Sequence, residues 1–176
     1  MSKPKSILDN IQIQITINRL CQQLIENHND FSNTILIGLQ PRGVHLCERI
    51  RSSLESINSN LIIENGSLDI TFYRDDFRRR EDPLTANSTF LNTSLEGKKV
   101  VVIDDVLYTG RSVRAALDAL LDYGRPISIE LLVLINRRLS RHVPIQPDYV
   151  GHTIDVVAEE RVSVEWEKNE RVILIS

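Results

Sequence analysis

Residues 100–112 read Val-Val-Val-Ile-Asp-Asp-Val-Leu-Tyr-Thr-Gly-Arg-Ser. Val100 to Ile103 form an apolar run suited to a strand buried on both faces. From Arg111 onward, Val113, Ala116, Leu117, Leu120 and Leu121 recur at helical spacing and predict a helix over 111–123. Between the two lie Asp104 and Asp105, then a short turn containing a hydroxyl and a glycine. In an open parallel sheet the binding crevice lies beyond the carboxyl ends of the strands, and amides at a helix start cradle phosphate. The same loop therefore offers carboxylate and anion-binding chemistry.

Those chemistries suit opposite ends of one ligand. Adjacent carboxylates, Asp104 and Asp105, accept hydrogen bonds from a sugar diol and stabilise a cationic sugar carbon. The loop running through Val106, Leu107, Tyr108, Thr109, Gly110, Arg111 and Ser112 suits a terminal phosphate monoester, through its amides and the Thr109 and Ser112 hydroxyls. A phosphorylated ribose has both ends. A Walker loop needs a lysine after its glycines, and none lies between Lys99 and Lys168, so nucleoside triphosphate hydrolysis is disfavoured. The plain alternative is a buried strand ending in a polar turn that caps its helix.

A second strand-to-helix turn, Gln40-Pro41-Arg42-Gly43, combines amides freed by glycine with a permanently charged guanidinium. That is a plausible pyrophosphate grip, although Pro and Gly are ordinary turn residues. The polar stretch 74–97 is long for a loop in a compact domain. It begins Arg74-Asp75-Asp76-Phe77-Arg78-Arg79-Arg80-Glu81-Asp82, where four arginines meet four acids, so it is no simple basic arm. It is either a solvated excursion or a lid excluding water from an oxocarbenium-like ribose. Arg74, beside a strand end, is the candidate that reaches pyrophosphate.

Composition points to one α/β domain spanning 1–176, with 41% hydrophobic residues and a net charge of −3 that gives no global basic signature. Cys21 and Cys47 lie in amphipathic helical patterns without CxxC or Cys/His ligand spacing, which suggests buried thiols in a reducing compartment. No run of eighteen apolar residues occurs, so a soluble cytoplasmic protein with no membrane partner is expected. His28, His45, His142 and His152 show no metal spacing, and zinc is unsupported. Trp166, in an alternating terminal segment, reads as packing.

The remaining elements follow from periodicity. Residues 10–28 alternate like a strand at Ile11, Ile13, Ile15 and Ile17 but also trace a helical stripe; helix is chosen, capped by Asp9 or Asn10. Strands are expected at 34–39, 61–64, 68–73, 99–103 and 127–135, with a helix from Gly43 to about 58. A core of about 7–135 would then carry a small antiparallel hood, 136–176, built from segments 161–166 and 171–175.

The combination Asp-Asp-Val-Leu-Tyr-Thr-Gly-Arg-Ser-Val-Arg-Ala at 104–115, Asp-Ile-Thr-Phe-Tyr-Arg-Asp-Asp at 69–76, Arg-Gly-Val at 42–44 and Tyr-Gly-Arg-Pro at 123–126 resembles the PyrR family of type I phosphoribosyltransferases. The resemblance runs from about Ile7 to Val164. It implies a parallel α/β fold and a uracil phosphoribosyltransferase that forms UMP and pyrophosphate from uracil and phosphoribosyl pyrophosphate. It also implies Mg²⁺ carried by the pyrophosphate rather than bound by a dedicated protein site, assembly as a homodimer or larger homo-oligomer, and a pyrophosphate role for Gln40, Pro41, Arg42 and Gly43. By the same resemblance Arg137 and the backbone near Val162 belong to the nucleobase pocket. Asn136 stands where such sequences usually have aspartate.

Some members of that family regulate pyrimidine operons by binding messenger RNA. Here Arg137, Arg138, Arg141 and His142 cluster with no acid until Asp148, a basic patch that suits leader RNA, while the plain reading is a solvated turn. Gln146 and His152 stand where basic residues are common in RNA-regulating relatives. If this patch binds RNA, Arg141→Gln is expected to weaken it and leave uracil conversion intact. A purine phosphoribosyltransferase is the third reading, sharing the ribose loop and differing in the hood.

Overall fold

The computed structural model describes residues 4–75, 88–156, 160–167 and 169–175. The elements run β1 (Lys5–Leu8), α1 (Asn10–His28), β2 (Thr34–Leu39), α2 (Gly43–Ile57), β3 (Glu64–Leu68), β4 (Lys99–Leu107), α3 (Arg111–Leu120), β5 (Ser128–Arg138), β6 (Tyr149–Asp155), β7 (Arg161–Glu165) and β8 (Arg171–Ile175). Five strands pair in parallel in the order β3-β2-β4-β5-β6. A three-stranded antiparallel sheet, β1-β8-β7, forms the hood.

The sheet is covered on both faces, and side-chain alternation divides the central strand between them. Val101 and Ile103 join Leu36, Leu132 and Leu134 in a cluster with Ile13, Ile17 and Leu20 of α1, Leu46 and Ile50 of α2, and Val162, Val164 and Val172 of the hood. Val100 and Val102 face the other way, with Ile35, Ile37 and Val133, onto Val113, Ala116 and Leu120 of α3. The ambiguous segment 10–28 is a helix because its stripe Ile13, Ile17, Leu20, Leu24 is fully buried. Asp9 and Gln12 close a reciprocal capping box at its start, with Gln12 N–H donating to Asp9 Oδ1 at 2.8 Å.

Boundaries differ from the sequence reading, beginning with β4, expected over 99–103, which runs on through the two acids to Leu107. The expected strands 61–64 and 68–73 are one strand, 64–68, followed by a 3₁₀ turn, Thr71–Tyr73. Asp69 Oδ1 accepts the Thr71 N–H at 2.8 Å, an Asx turn that takes the chain out of the ladder after Leu68. β5 continues past Ile135 through Asn136, Arg137 and Arg138, because its polar end still pairs with β6. Residues 149–155 belong to the main sheet as its edge, and the hood instead recruits Lys5–Leu8. Of the 74–97 loop, residues 76–87, including most of the expected lid, lie outside the described residues. Its last part is pinned: Phe90 exchanges two backbone hydrogen bonds with Ser67, and Leu95 is fully buried.

At the amino ends of the strands, His28 bridges elements. Its Nδ1 lies 3.0 Å from Thr34 Oγ1 and its Nε2 lies 3.0 Å from Glu130 Oε2. This is a packing role, remote from the carboxyl ends where the candidate residues gather.

The first turn of α2 presses directly on the central strand. A Cβ on Gly43 would lie 2.3 Å from Ile103 O and 3.1 Å from Asp104 Cα, so only glycine brings the 40–43 loop this close to the acids. Gly43→Ala is expected to lower stability by about 1–3 kcal/mol through overpacking against backbone. Thermal unfolding checks this; an unchanged midpoint would mean that the helix end is free to back away.

Candidate functional site

Asp104 and Asp105 remain inside the ladder, since β4 pairs with β5 through Leu107↔Asn136. By strand alternation Asp105 follows Ile103 toward α2, and Asp104 follows Val102 toward α3. Asp105 is 5% exposed and Asp104 partly buried. The Asp105 N–H donates to Asp104 Oδ1 at 2.9 Å, while Asp105 Oδ2 is buried with no hydrogen-bond partner among the described residues. Burial pushes the Asp104 carboxyl well above the usual carboxylate range, and the neighbouring Asp105 charge adds to it. Burial raises Asp105 as well, opposed by the Arg42 guanidinium.

Two cavities meet at this pair. One, about 240 Å³, is lined by Arg74, Asp104 and the loop from Val106 through Leu107, Tyr108, Thr109, Gly110, Arg111 and Ser112 to Val113. The other, about 210 Å³, is lined by Gln40, Pro41, Arg42, Arg74, Asp104, Asp105, Val106 and Ser112, among others. The phosphate-loop candidates and most of the pyrophosphate candidates thus border one continuous region, with Arg74 on both sides and Gly43 packed beneath. The Gln40–Pro41 peptide is cis.

The loop leading into α3 is open by construction. Its N-cap is Gly110, at φ 87°, a left-handed conformation that favours glycine. Having no side chain, it caps none of the helix's first amides itself, and of these the Arg111 N–H reaches Thr109 Oγ1 at 3.4 Å. Arg111 is tied to the start of the long loop, its Nη1 2.7 Å from Asp75 Oδ2.

The base-pocket candidates sit apart from these two cavities. Arg137 is 4% exposed, its Cζ 4.0 Å from the centre of the Tyr108 ring. Its Nε and Nη2 are buried without hydrogen-bond partners among the described residues. The Val162 side chain is buried in the core beneath the hood, which leaves its backbone as the available group. Among the RNA candidates, exposed Arg138 makes a two-pronged ion pair with Asp155, both contacts at 2.7 Å. Arg141 turns inward to the Tyr108 carbonyl and to Asn136, and His142 is exposed.

The sequence reading missed a third cavity, about 810 Å³, between Arg42 and the hood, lined by His45, Ser163, Trp166, Glu167 and Arg171 among others. The His45 and Trp166 rings stack there with centroids 6.4 Å apart. The only sequence signal was an aromatic residue at the end of an alternating segment. Among the described residues no group of three His, Cys, Asp or Glu side chains could hold a metal ion, and no helix is long and apolar enough to cross a membrane.

Residues 4–167 match the phosphoribosyl transferase domain family. A bifunctional protein PyrR from Caldicellulosiruptor bescii is 42% identical, covering 99% of this chain and 96% of that protein. One from Enterococcus faecalis is 37% identical, covering 94% and 92%. Among solved structures, a hypoxanthine phosphoribosyltransferase of Trypanosoma cruzi superposes with a TM-score of 0.74 at 15% identity, covering 97% of this chain and 95% of that one. A second, from Staphylococcus aureus, gives 0.67 at 18% identity, covering 86% and 78%.

The raised acids predict a pH signature. A folded pKa above the unfolded value means the native state binds more protons, so stability is lost as pH rises through the folded pKa. Asp105→Asn should therefore unfold at a higher temperature than the wild type at pH 7.5, with the gap closing as the pH approaches 5. A gap that widens on acidification would reverse the sign argued here.

Proposed function

Because the chain belongs to the phosphoribosyl transferase family, and within it to the PyrR proteins, we propose that it joins uracil N1 to the anomeric carbon of phosphoribosyl pyrophosphate. The C–O bond to pyrophosphate breaks, the N1 proton leaves, and UMP is the product. The observation that carries this reading is the meeting of two cavities at Asp104, one bordered by a glycine-capped helix start and the other by the Arg42 loop. That arrangement matches a ligand with a phosphate at one end, a diol in the middle and a pyrophosphate at the other.

In this mechanism Asp104 and Asp105 bind the ribose diol and offset positive charge at the anomeric carbon. Val106 to Ser112 hold the 5′-phosphate; Gln40 to Gly43 and Arg74 orient the pyrophosphate. No side chain serves as a covalent nucleophile, and rate comes from positioning and electrostatics. Arg137 and the Val162 backbone take the base. The buried, unpartnered Asp105 Oδ2 and the adjoining Asp104 carboxyl are the groups that would meet a Mg²⁺ carried by the substrate. Such an ion would supply charge neutralisation for the leaving pyrophosphate.

The name of the relatives, bifunctional, supports a second role as an RNA-binding regulator of pyrimidine operon transcription. Of the basic cluster, Arg138 is paired and Arg141 faces inward, so His142 and the ends of those arginines would carry the contact. A cytoplasmic setting fits Cys21 and Cys47, both buried and free. Self-association fits Ile11 and Ile15, one turn apart on α1 and 66% and 62% exposed.

Asp104→Asn and Asp105→Asn are each expected to cut uracil phosphoribosyl transfer on the order of a hundredfold or more in the presence of Mg²⁺ while staying folded. Near-wild-type turnover by both variants would remove the roles given to the acids. A screen of uracil, hypoxanthine and guanine separates the pyrimidine reading from the purine one. Titration of a pyrimidine-operon leader at two salt concentrations, with and without UMP, tests the regulatory role; UMP-enhanced, sequence-selective binding supports it and unselective binding dismisses it.

A further inference from the structure

The segment between β5 and β6, residues 139–148, lies over the phosphate loop and grips consecutive residues of it. Arg141 Nη1 donates to the Tyr108 carbonyl, and Nη2 donates to Asn136 Oδ1 at 2.7 Å. The His142 and Val143 N–H groups both donate to the Thr109 carbonyl, at 2.9 and 3.2 Å. Arg141 Cδ and the Val143 side chain come within 3.5 Å of where a Cβ on Gly110 would sit. Tyr108, Thr109 and Gly110 are thus each touched from the same side. The opposite end of Arg141 is fixed by Asn136, whose own strand is locked between β4 and β6.

We infer that Arg141 is a positioning residue for the transferase: braced on Asn136, its guanidinium sets the peptide planes of residues 108–110 so that the amides beyond them meet the 5′-phosphate. A loop that binds through amides depends on where its carbonyls are held, because each peptide plane orients both groups together. A short guanidinium bridge is well suited, since its planar fork spans a backbone carbonyl and a side-chain carbonyl at once. The bridge also holds the backbone of Tyr108, the residue whose ring lies under the Arg137 guanidinium. Asn136 is the brace, its Oδ1 accepting the Nη2 hydrogen bond.

This inference rests on the proposed phosphoribosyl transfer for its kinetic readout, but not for its binding readout, and it reverses the expectation that Arg141→Gln spares catalysis. The experiment uses the full chain and ribose 5-phosphate as the probe, whose binding needs the loop but neither base nor pyrophosphate. Arg141→Ala should weaken ribose 5-phosphate binding, measured calorimetrically, by about ten- to a hundredfold, the range for losing hydrogen bonds from a charged group. KM for phosphoribosyl pyrophosphate should rise in parallel while kcat changes by less than about threefold, the mark of lost uniform binding. Arg141→Lys, which keeps the charge and one donor, should recover part of the affinity. Asn136→Ala should weaken binding less than Arg141→Ala, and Arg51→Ala, which removes an ion pair with Glu55 within α2, should match the wild type.

Unchanged ribose 5-phosphate affinity in Arg141→Ala overturns the inference, including the case in which that variant loses only leader-RNA binding. So does a common fall of kcat, affinity and melting temperature that Arg141→Lys does not relieve, because that is loss of fold rather than loss of position. A wild-type chain that binds ribose 5-phosphate but fails to convert uracil would instead sink the proposed base specificity and leave the role of Arg141 standing on its binding data.

Discussion

Two adjacent carboxylates at the end of a strand that is paired on both sides are costly to hold. Asp104 and Asp105 cannot retreat to solvent, because β4 stays in register with β5 for two residues beyond them, and burial works against both charges. The rest of the molecule is arranged around that cost. Val100 to Ile103, all at most 1% exposed, each contribute roughly 1.5–3 kcal/mol by burial and fix the strand from which the acids project. The glycine at 43 lets the next element close enough for Arg42 to offset the charge of Asp105. Stability is surrendered locally at Asp105, whose Oδ2 is buried without a hydrogen-bond partner among the described residues.

The cations are distributed to match. Arg74 borders both small cavities, Arg42 borders one of them and the large hood cavity, and Arg111 is partly neutralised by Asp75 at the root of the long loop. A chain of net charge −3 thereby presents a positive rim around a negative floor. Such a pattern attracts a ligand that is anionic at its ends and rich in hydroxyls at its centre, and it disfavours an anion lying directly over the acids. The contact between Asp75 and Arg111 also ties the root of the long loop to the start of α3.

How much of this was legible in the sequence depended on whether the signal was local. The strand at 34–39, the helix from Gly43 and the acid-bearing loop were readable because buried parallel strands are apolar runs and the turns between them use glycine. The edge strand 149–155, Tyr-Val-Gly-His-Thr-Ile-Asp, was not, since a strand covered on one side carries no continuous apolar run and is defined by pairing with β5. Lys5–Leu8 joined the hood for the same reason, through a partner more than 160 residues away in the chain. That Asp104, Asp105 and the 106–112 loop border adjoining cavities was legible from the motif. The inward turn of Arg141 was invisible, because a basic cluster in a sequence looks alike whether its side chains face RNA, an acid such as Asp155 or a backbone carbonyl.

The same limit applies to the base. Nothing in the sequence around Arg137 reads a nucleobase, yet its buried surroundings restrict what fits beside it. An arginine offers donors only, and two of its nitrogens are buried without acceptors among the described residues. Leaving such donors unsatisfied costs about 1–3 kcal/mol each, so a ligand presenting carbonyl oxygens is favoured over one presenting an amino group at that point. Uracil, hypoxanthine and guanine all meet this condition, whereas adenine does not. On the proposed reading, then, Arg137 on its Tyr108 platform separates oxo bases from amino bases. On the same reading, the Val162 side chain is committed to the core and only its backbone is left to meet an edge of the base.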